Sequence, residues 1–405
     1  MAITKKRWLI LLASCMVNLC IGSLYAWSVF SGPMSEYLRQ MSTKAIPNLA
    51  VIFTAANAVG PVTMISGGYI NDRIGPKWAL LIGGLLFGGG MIGSGMAKTF
   101  AALFLSYGLG VGLGVGLVYG TVVSNTIKFF PDYRGLAGGL TTAAYGGSSI
   151  LIPPVAAWLM EHFSVAKAFQ ILGAIMLAVI CMSAFIITPC PKEFKPESTL
   201  LKKGVGQSGK KDKNYRQMLA DPLFYVLLLI LLCGAFSGLM IISQASPMAR
   251  KIIGMTARSG AAVVSILALF NTAGRMIAGA LSDKIGVPNT LRAAFAASFA
   301  ALLMLHCCRM GDTVLFTVCI GIIGFCFGAI MGIYPGFTAM EFGTKNNSVN
   351  YGIMFIGFAL AGAVGPGIMG FLYNVTGKYQ PAFLVSAALN MAGLGLIELY
   401  KKMSH

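Results

Sequence analysis

The stretch G-Y-I-N-D-R-I-G at Gly68–Gly75 and the stretch G-A-L-S-D-K-I-G at Gly279–Gly286 follow one pattern: glycine, three residues, aspartate, a cation, isoleucine, glycine. They lie half a chain apart, and each closes a long apolar run. A polar signature repeated at that spacing marks an internal duplication of membrane-spanning segments. A second repeat agrees. Glycines recur at positions 108, 112, 116 and 120, and again at 324, 328, 332 and 336. Glycine at every fourth position leaves a flat helix face on which a neighbour can pack closely or slide.

Composition places both repeats in hydrocarbon. Of 405 residues, 57% are hydrophobic, a further 51 are glycine and only 10% are charged, too little polar surface for a soluble chain. The net charge of +18, from 30 Lys and Arg against 12 Asp and Glu, would suggest nucleic acid on a soluble protein. Here the cations fall between apolar runs, where they orient helices in a membrane, so no nucleic-acid partner is expected. The nine cysteines show no paired-ligand spacing and read as small apolar residues. His162, His306 and His405 are scattered, so neither a metal site, a cofactor nor a catalytic residue is expected. Gly88, Gly90 and Gly93 fit a dinucleotide-loop spacing, but no strand precedes them and no acidic partner follows.

A bilayer core about 30 Å thick takes roughly 20 apolar residues per helix, and the sequence supplies about twelve such runs. The first resembles a signal peptide, with Lys5, Lys6 and Arg7 before an apolar stretch, yet it continues through Trp27 to Phe30 and is kept as a span. The expected division is an N-terminal six-helix bundle over 1–188, a polar linker over 189–221 and a C-terminal six-helix bundle over 222–405. The linker alone carries Lys192, Lys195, Lys202, Lys203, Lys210, Lys211, Lys213 and Arg216. Most lysines and arginines fall on the side shared by the linker and both termini. That side is therefore expected to be cytoplasmic, in a multi-pass protein of a bacterial-type inner membrane.

Among the ionisable residues Arg275 stands apart, about seven residues inside the cytoplasmic end of its span, or roughly 10 Å deep. An arginine at depth costs at least about 2.5 to 3.5 kcal/mol on insertion scales, so it faces water or a partner. One reading is snorkelling or a structural pair. The other is a mobile anion, since no acid lies at matching depth. A planar guanidinium offers a carboxylate two parallel N–H donors, and a lone cation suits a monoanion. Asn271, one turn earlier on the same face, can bond the guanidinium, the substrate or a neighbouring helix. Ser14, Asn18, Gly22 and Tyr25 form a polar stripe on the first span. Tyr119 and Tyr334 sit at corresponding points of the two glycine ladders and are candidates to face the cavity. Phe355 and Phe358 are candidates for an apolar wall, with core packing as the alternative. Asp72, Arg73, Asp283 and Lys284 of the repeated loops are candidate gating residues.

Several motifs together resemble the major facilitator superfamily and, within it, the oxalate–formate antiporter and monocarboxylate transporter group. They are G-S-L-Y-A-W-S-V-F at Gly22–Phe30, V-Y-G at Val118–Gly120, F-F-P-D-Y-R-G-L-A-G-G at Phe129–Gly139, N-T-A-G-R at Asn271–Arg275 and N-Y-G at Asn350–Gly352. The resemblance implies two helix bundles working by alternating access, with a carboxylate bound near Arg275. Two positions depart from the family pattern. The oxalate exchanger carries a second membrane-embedded cation where this chain has Phe358, and animal proton-coupled relatives carry an aspartate where this chain has Asn271. The first favours a monocarboxylate such as lactate or pyruvate over oxalate. The second leaves the proton without an identified carrier.

The expected protein is an all-α membrane protein with twelve transmembrane helices in two pseudo-symmetric six-helix bundles. Its expected function is secondary transport of a small monocarboxylate together with a proton. A formate- or oxalate-type anion exchanger is the alternative within transport. From other classes, a membrane-embedded enzyme would need an acid/base pair or metal cluster at depth, and a carboxylate receptor would carry a signalling domain.

Overall fold

The computed structural model describes residues 3–41, 47, 49–191 and 212–404. The linker cations Lys192, Lys195, Lys202, Lys203, Lys210 and Lys211 lie outside the described residues. Twelve helices are long and apolar enough to cross a membrane: α1 Lys6–Met41, α2 Val51–Arg73, α3 Pro76–Met96, α4 Phe100–Phe129, α5 Arg134–His162, α6 Val165–Ile186, α7 Pro222–Lys251, α8 Ala262–Ile285, α9 Val287–Cys307, α10 Thr313–Phe342, α11 Asn347–Thr376 and α12 Gln380–Ser404. Several outlast the apolar runs that announce them, because a helix leaving the hydrocarbon continues through polar residues while its backbone bonds persist. Thus α1 runs past Phe30 to Met41.

Two departures from regular α-helix occur in the first bundle. A 3-10 turn at Gly22–Ala26 interrupts α1, and a π-helical stretch at Phe104–Val111 opens α4. The final glycine of each repeated motif also has a cause. Gly75 and Gly286 adopt φ of 104° and 86°, a backbone region that a side chain strains, and each turns the chain straight into the next helix. At the start of α7, Asp221 caps the helix by accepting the Leu223 N–H at 3.0 Å, and Pro222 occupies the first position, where its missing N–H costs nothing.

The helices form two six-helix bundles that repeat one packing scheme. In the first bundle the main pairs are α1 with α5, α2 with α4 and α3 with α6; in the second they are α7 with α11, α8 with α10 and α9 with α12. The glycine ladders explain two of these pairs. A β-carbon at Gly112 or Gly116 would strike the backbone of α2 at Ala56 or Gly60, and one at Gly328 or Gly332 would strike the backbone of α8 at Asn271 or Arg275. Without side chains there, backbones come together and dispersion contacts replace the hydrophobic drive that lipid cannot supply.

The bundles meet through α5 against α8, α2 against α11, and α5 against α10. The contacts run from Gly135 beside Gly279 and Ser282, through Gly139 beside Arg275, to Gly147 beside Thr272. On the other pair, Gly68 lies against Ser348 and Gly352 against Ile65. Both sets belong to the end of the molecule where α1 begins, α6 and α7 meet the linker, and α12 ends. The bundles are closed against each other at that end.

Candidate functional site

Arg275 lies on the seam between the bundles. The turn of α8 that carries it is held between Gly332 of α10 and Gly139 of α5, each of which leaves room for the Arg275 backbone. The side chain is 2% exposed. Its Nε donates to Asn271 Oδ1 at 3.0 Å, the pairing that i, i+4 spacing predicts, and its Nη1 donates across the seam to the Thr142 carbonyl oxygen of α5 at 2.9 Å. Among the described residues no carboxylate forms an ion pair with it. A buried guanidinium held by neutral acceptors leaves room for an anion to act as its counter-charge.

Aromatic side chains from both bundles surround it. Tyr25, Tyr119, Tyr145 and Tyr351 all lie within electrostatic reach of the guanidinium, and the Tyr119 hydroxyl also interacts with it. The ring of Tyr145 packs edge-on against those of Tyr25 and Tyr119, with centroids 5.4 and 5.1 Å apart. Gly22 makes the first contact possible, since a β-carbon there would meet the Tyr145 carbonyl, and the 3-10 turn that follows it delivers Tyr25. On the α11 side Phe355 touches Tyr119 and Tyr351 at 5.8 Å each and stacks on Phe358 at 4.5 Å. Phe358 in turn stacks on Phe327. The Tyr351 hydroxyl is buried and makes no hydrogen bond of ordinary geometry. The Tyr119 hydroxyl is its polar neighbour and interacts with it.

The structure thus brings Arg275, Asn271, Tyr119, Tyr25, Phe355 and Phe358 into one neighbourhood. Asn18 borders it: its Nδ2 donates to the Thr141 carbonyl at 2.8 Å, one residue from the Arg275 acceptor, and its Oδ1 is buried without a partner. Tyr334 does not join the group. Its hydroxyl donates to the Leu227 carbonyl at 2.7 Å, and its ring packs on Phe337 inside the second bundle. The cause is a single residue of register. Tyr119 is three residues after Gly116, whereas Tyr334 is two after Gly332, and one residue turns a helix by about 100°. Tyr145 and Tyr351 enter the neighbourhood without having been singled out. The available signal was a tyrosine inside an otherwise small or apolar span.

The repeated loops meet helix N-termini across the seam. Asp72 at the end of α2 accepts the Val349 N–H of α11 at 3.2 Å and a bond from Lys128 Nζ at 2.9 Å. Asp283 at the end of α8 accepts the Gly135 and Leu136 N–H groups of α5, both at 2.8 Å. The two contacts are equivalent under exchange of the bundles, and each sets a negative charge on the positive end of a helix. Arg73 lies over the Tyr69 ring at 4.5 Å, and Lys284 is exposed.

Twelve spans in two duplicated bundles, with an unpaired cation on the seam, define a membrane carrier rather than an enzyme. The family model of the major facilitator superfamily matches residues 8–366, and the chain belongs to that superfamily. It is 30% identical to the oxalate:formate antiporter of Oxalobacter formigenes over 96% of this chain and 90% of that protein. It is 27% identical to the uncharacterized transporter YhjX of Escherichia coli (strain K12), over 88% of this chain and 86% of that one. Monocarboxylate transporter 13 of Bos taurus is 24% identical, over 82% and 75% of the two chains. The crystal structure of FucP in the outward conformation shares the fold, with a TM-score of 0.72 at 14% identity over 98% of this chain and 99% of that one.

Proposed function

We propose that this secondary transporter carries a small monocarboxylate of the lactate or pyruvate type, together with a proton, by alternating access about Arg275. The carrying observation is the buried guanidinium whose bonded partners are an amide and a carbonyl. One uncompensated cation balances one carboxylate. The Phe355–Phe358 pair offers a short carbon chain an apolar wall, while the tyrosine hydroxyls serve the polar end. A co-transported proton makes the step electroneutral; moving the anion alone would cost or gain about 2.3 kcal/mol per 100 mV. The orientation that follows from the cation distribution puts the termini in the cytoplasm of a cell with a bacterial-type inner membrane.

A second reading is exchange of formate- or oxalate-type anions, favoured by the similarity to the oxalate:formate antiporter. Uptake into proteoliposomes of labelled lactate, pyruvate, formate and oxalate, with and without an imposed pH gradient, tests both. Gradient-driven uptake of lactate or pyruvate supports the first. Uptake that requires an internal anion and ignores the gradient overturns it in favour of exchange.

A further inference from the structure

Two adjoining cavities of about 710 and 360 Å³ open on the second bundle at the end opposite to the termini. They share Lys251, Tyr373 and Tyr379. Arg250 lines the larger, and Arg309 and Lys378 line the smaller. Arg250 and Lys251 end α7, Arg309 lies between α9 and α10 and Lys378 between α11 and α12, and no Asp or Glu lines either cavity. Asp312 is the acid nearest in sequence, and its carboxylate accepts the Arg309 backbone N–H at 2.8 Å.

All four cations are solvent-exposed, and Lys251 among them has a defined aromatic partner. Lys251 Nζ donates to the Tyr373 hydroxyl at 2.9 Å and stands 4.2 Å from the centre of that ring. Tyr373 stacks on the buried Tyr379 at 4.3 Å. A lysine ammonium resting on an aromatic floor, although exposed, has given up some of the rotamer freedom that binding would cost it. This end of the molecule is also the one where the proposed orientation disfavours cations, so four around two adjoining cavities call for a local cause.

We propose that this pocket is a second, weaker site for small carboxylate anions, an antechamber that gathers substrate at the mouth of the second bundle. The inference rests on reading the protein as a carboxylate carrier. From the start of α8 to Arg275 is about 20 Å along the helix, more than two Debye lengths at physiological salt. The antechamber therefore acts on capture, by raising the local anion concentration, and leaves the deep site's affinity alone. The same oxyanion chemistry would also fit a lipid phosphate, so the test separates the two sources.

Lys251 modification by trinitrobenzenesulfonate is followed by mass spectrometry on Arg275→Ala protein in zwitterionic nanodiscs at matched ionic strength. Formate, lactate or oxalate should slow it several-fold and saturably while leaving the exposed Lys98 at the same end unprotected. Absence of protection, equal protection of Lys98, or protection by phosphatidylglycerol but by none of the three anions overturns the proposal. In proteoliposomes the Arg250→Gln/Lys251→Gln variant should raise KM several-fold at low ionic strength with kcat unchanged, and should match wild type at high salt. An unchanged KM at low salt also overturns it. If wild-type protein carries none of the three anions, the functional reading falls, and Lys251 protection alone still decides the pocket.

Discussion

At the scale of single residues the proposed carboxylate site rests on Arg275. Charge-assisted hydrogen bonds contribute about 1.5 to 3 kcal/mol each, and a carboxylate takes two from a guanidinium. Arg275→Ala should therefore weaken substrate binding at least a hundredfold while the protein remains monodisperse. Arg275→Lys, which keeps the charge but loses the fork, should fall between. Isothermal titration of purified protein reads both, and normal affinity in the alanine variant would remove the basis for the proposed site. Phe358 tests charge count. Phe358→Lys should improve oxalate binding relative to lactate, since unit charges about 4 Å apart attract by roughly 4 kcal/mol at an effective dielectric of 20, before desolvation takes its share. If monodisperse variant protein shows no relative gain for oxalate, Phe358 is packing alone, as its stack on Phe355 and Phe327 allows. Arg275 was legible in the sequence because an isolated cation in an apolar run has few explanations. Tyr145 and Tyr351 were not, because α5 and α11 are apolar on most sides and only packing decides which face meets the seam.

At the scale of helices and loops, the repeated motif is an N-terminal capping device that works between bundles. Asp72 accepts one and Asp283 two backbone N–H groups at the start of a helix in the other half, where capping and dipole interactions contribute about 0.5 to 2 kcal/mol. Asp72→Asn and Asp283→Asn keep an acceptor oxygen but lose the charge. Either should shift the equilibrium toward opening at the terminal end by a few-fold to tenfold, with little change in intrinsic affinity. Accessibility of single cysteines to a membrane-impermeant reagent from each side reads the ratio, and identical accessibility before and after substitution would exclude this role. The sequence showed the glycine ladders and the motif spacing because both are linear patterns. It did not show that Tyr119 and Tyr334 differ in face, since a one-residue offset within a ladder is easily passed over. Nor did it show the 3-10 turn that delivers Tyr25, whose geometry depends on Gly22 meeting α5.

At the scale of the whole molecule, the paired contacts α5–α8 and α2–α11 close the terminal end in two symmetric sets, which the proposed cycle uses as the two leaves of a gate. Transport by alternating access requires both leaves to part, exposing Arg275 from this side, so tying one leaf shut should stop the cycle without touching the binding residues. Asn71 Nδ2 donates to Ser348 Oγ at 2.6 Å across the α2–α11 leaf, and both side chains are buried there. The bond brings the two positions close enough to try a disulfide, which further needs their Cβ atoms about 3.5 to 4.5 Å apart. With the native cysteines replaced, Asn71→Cys/Ser348→Cys should form a crosslink under mild oxidation. Uptake into proteoliposomes should fall to background in the oxidised state and recover on reduction, while each single variant retains transport under both conditions. Binding measured from the opposite side should survive the crosslink, because Arg275 and the tyrosines lie deeper than the tie. Transport that continues in fully crosslinked protein would mean that this end need not open, and the two-leaf gate would then be a static brace between the bundles rather than a moving part.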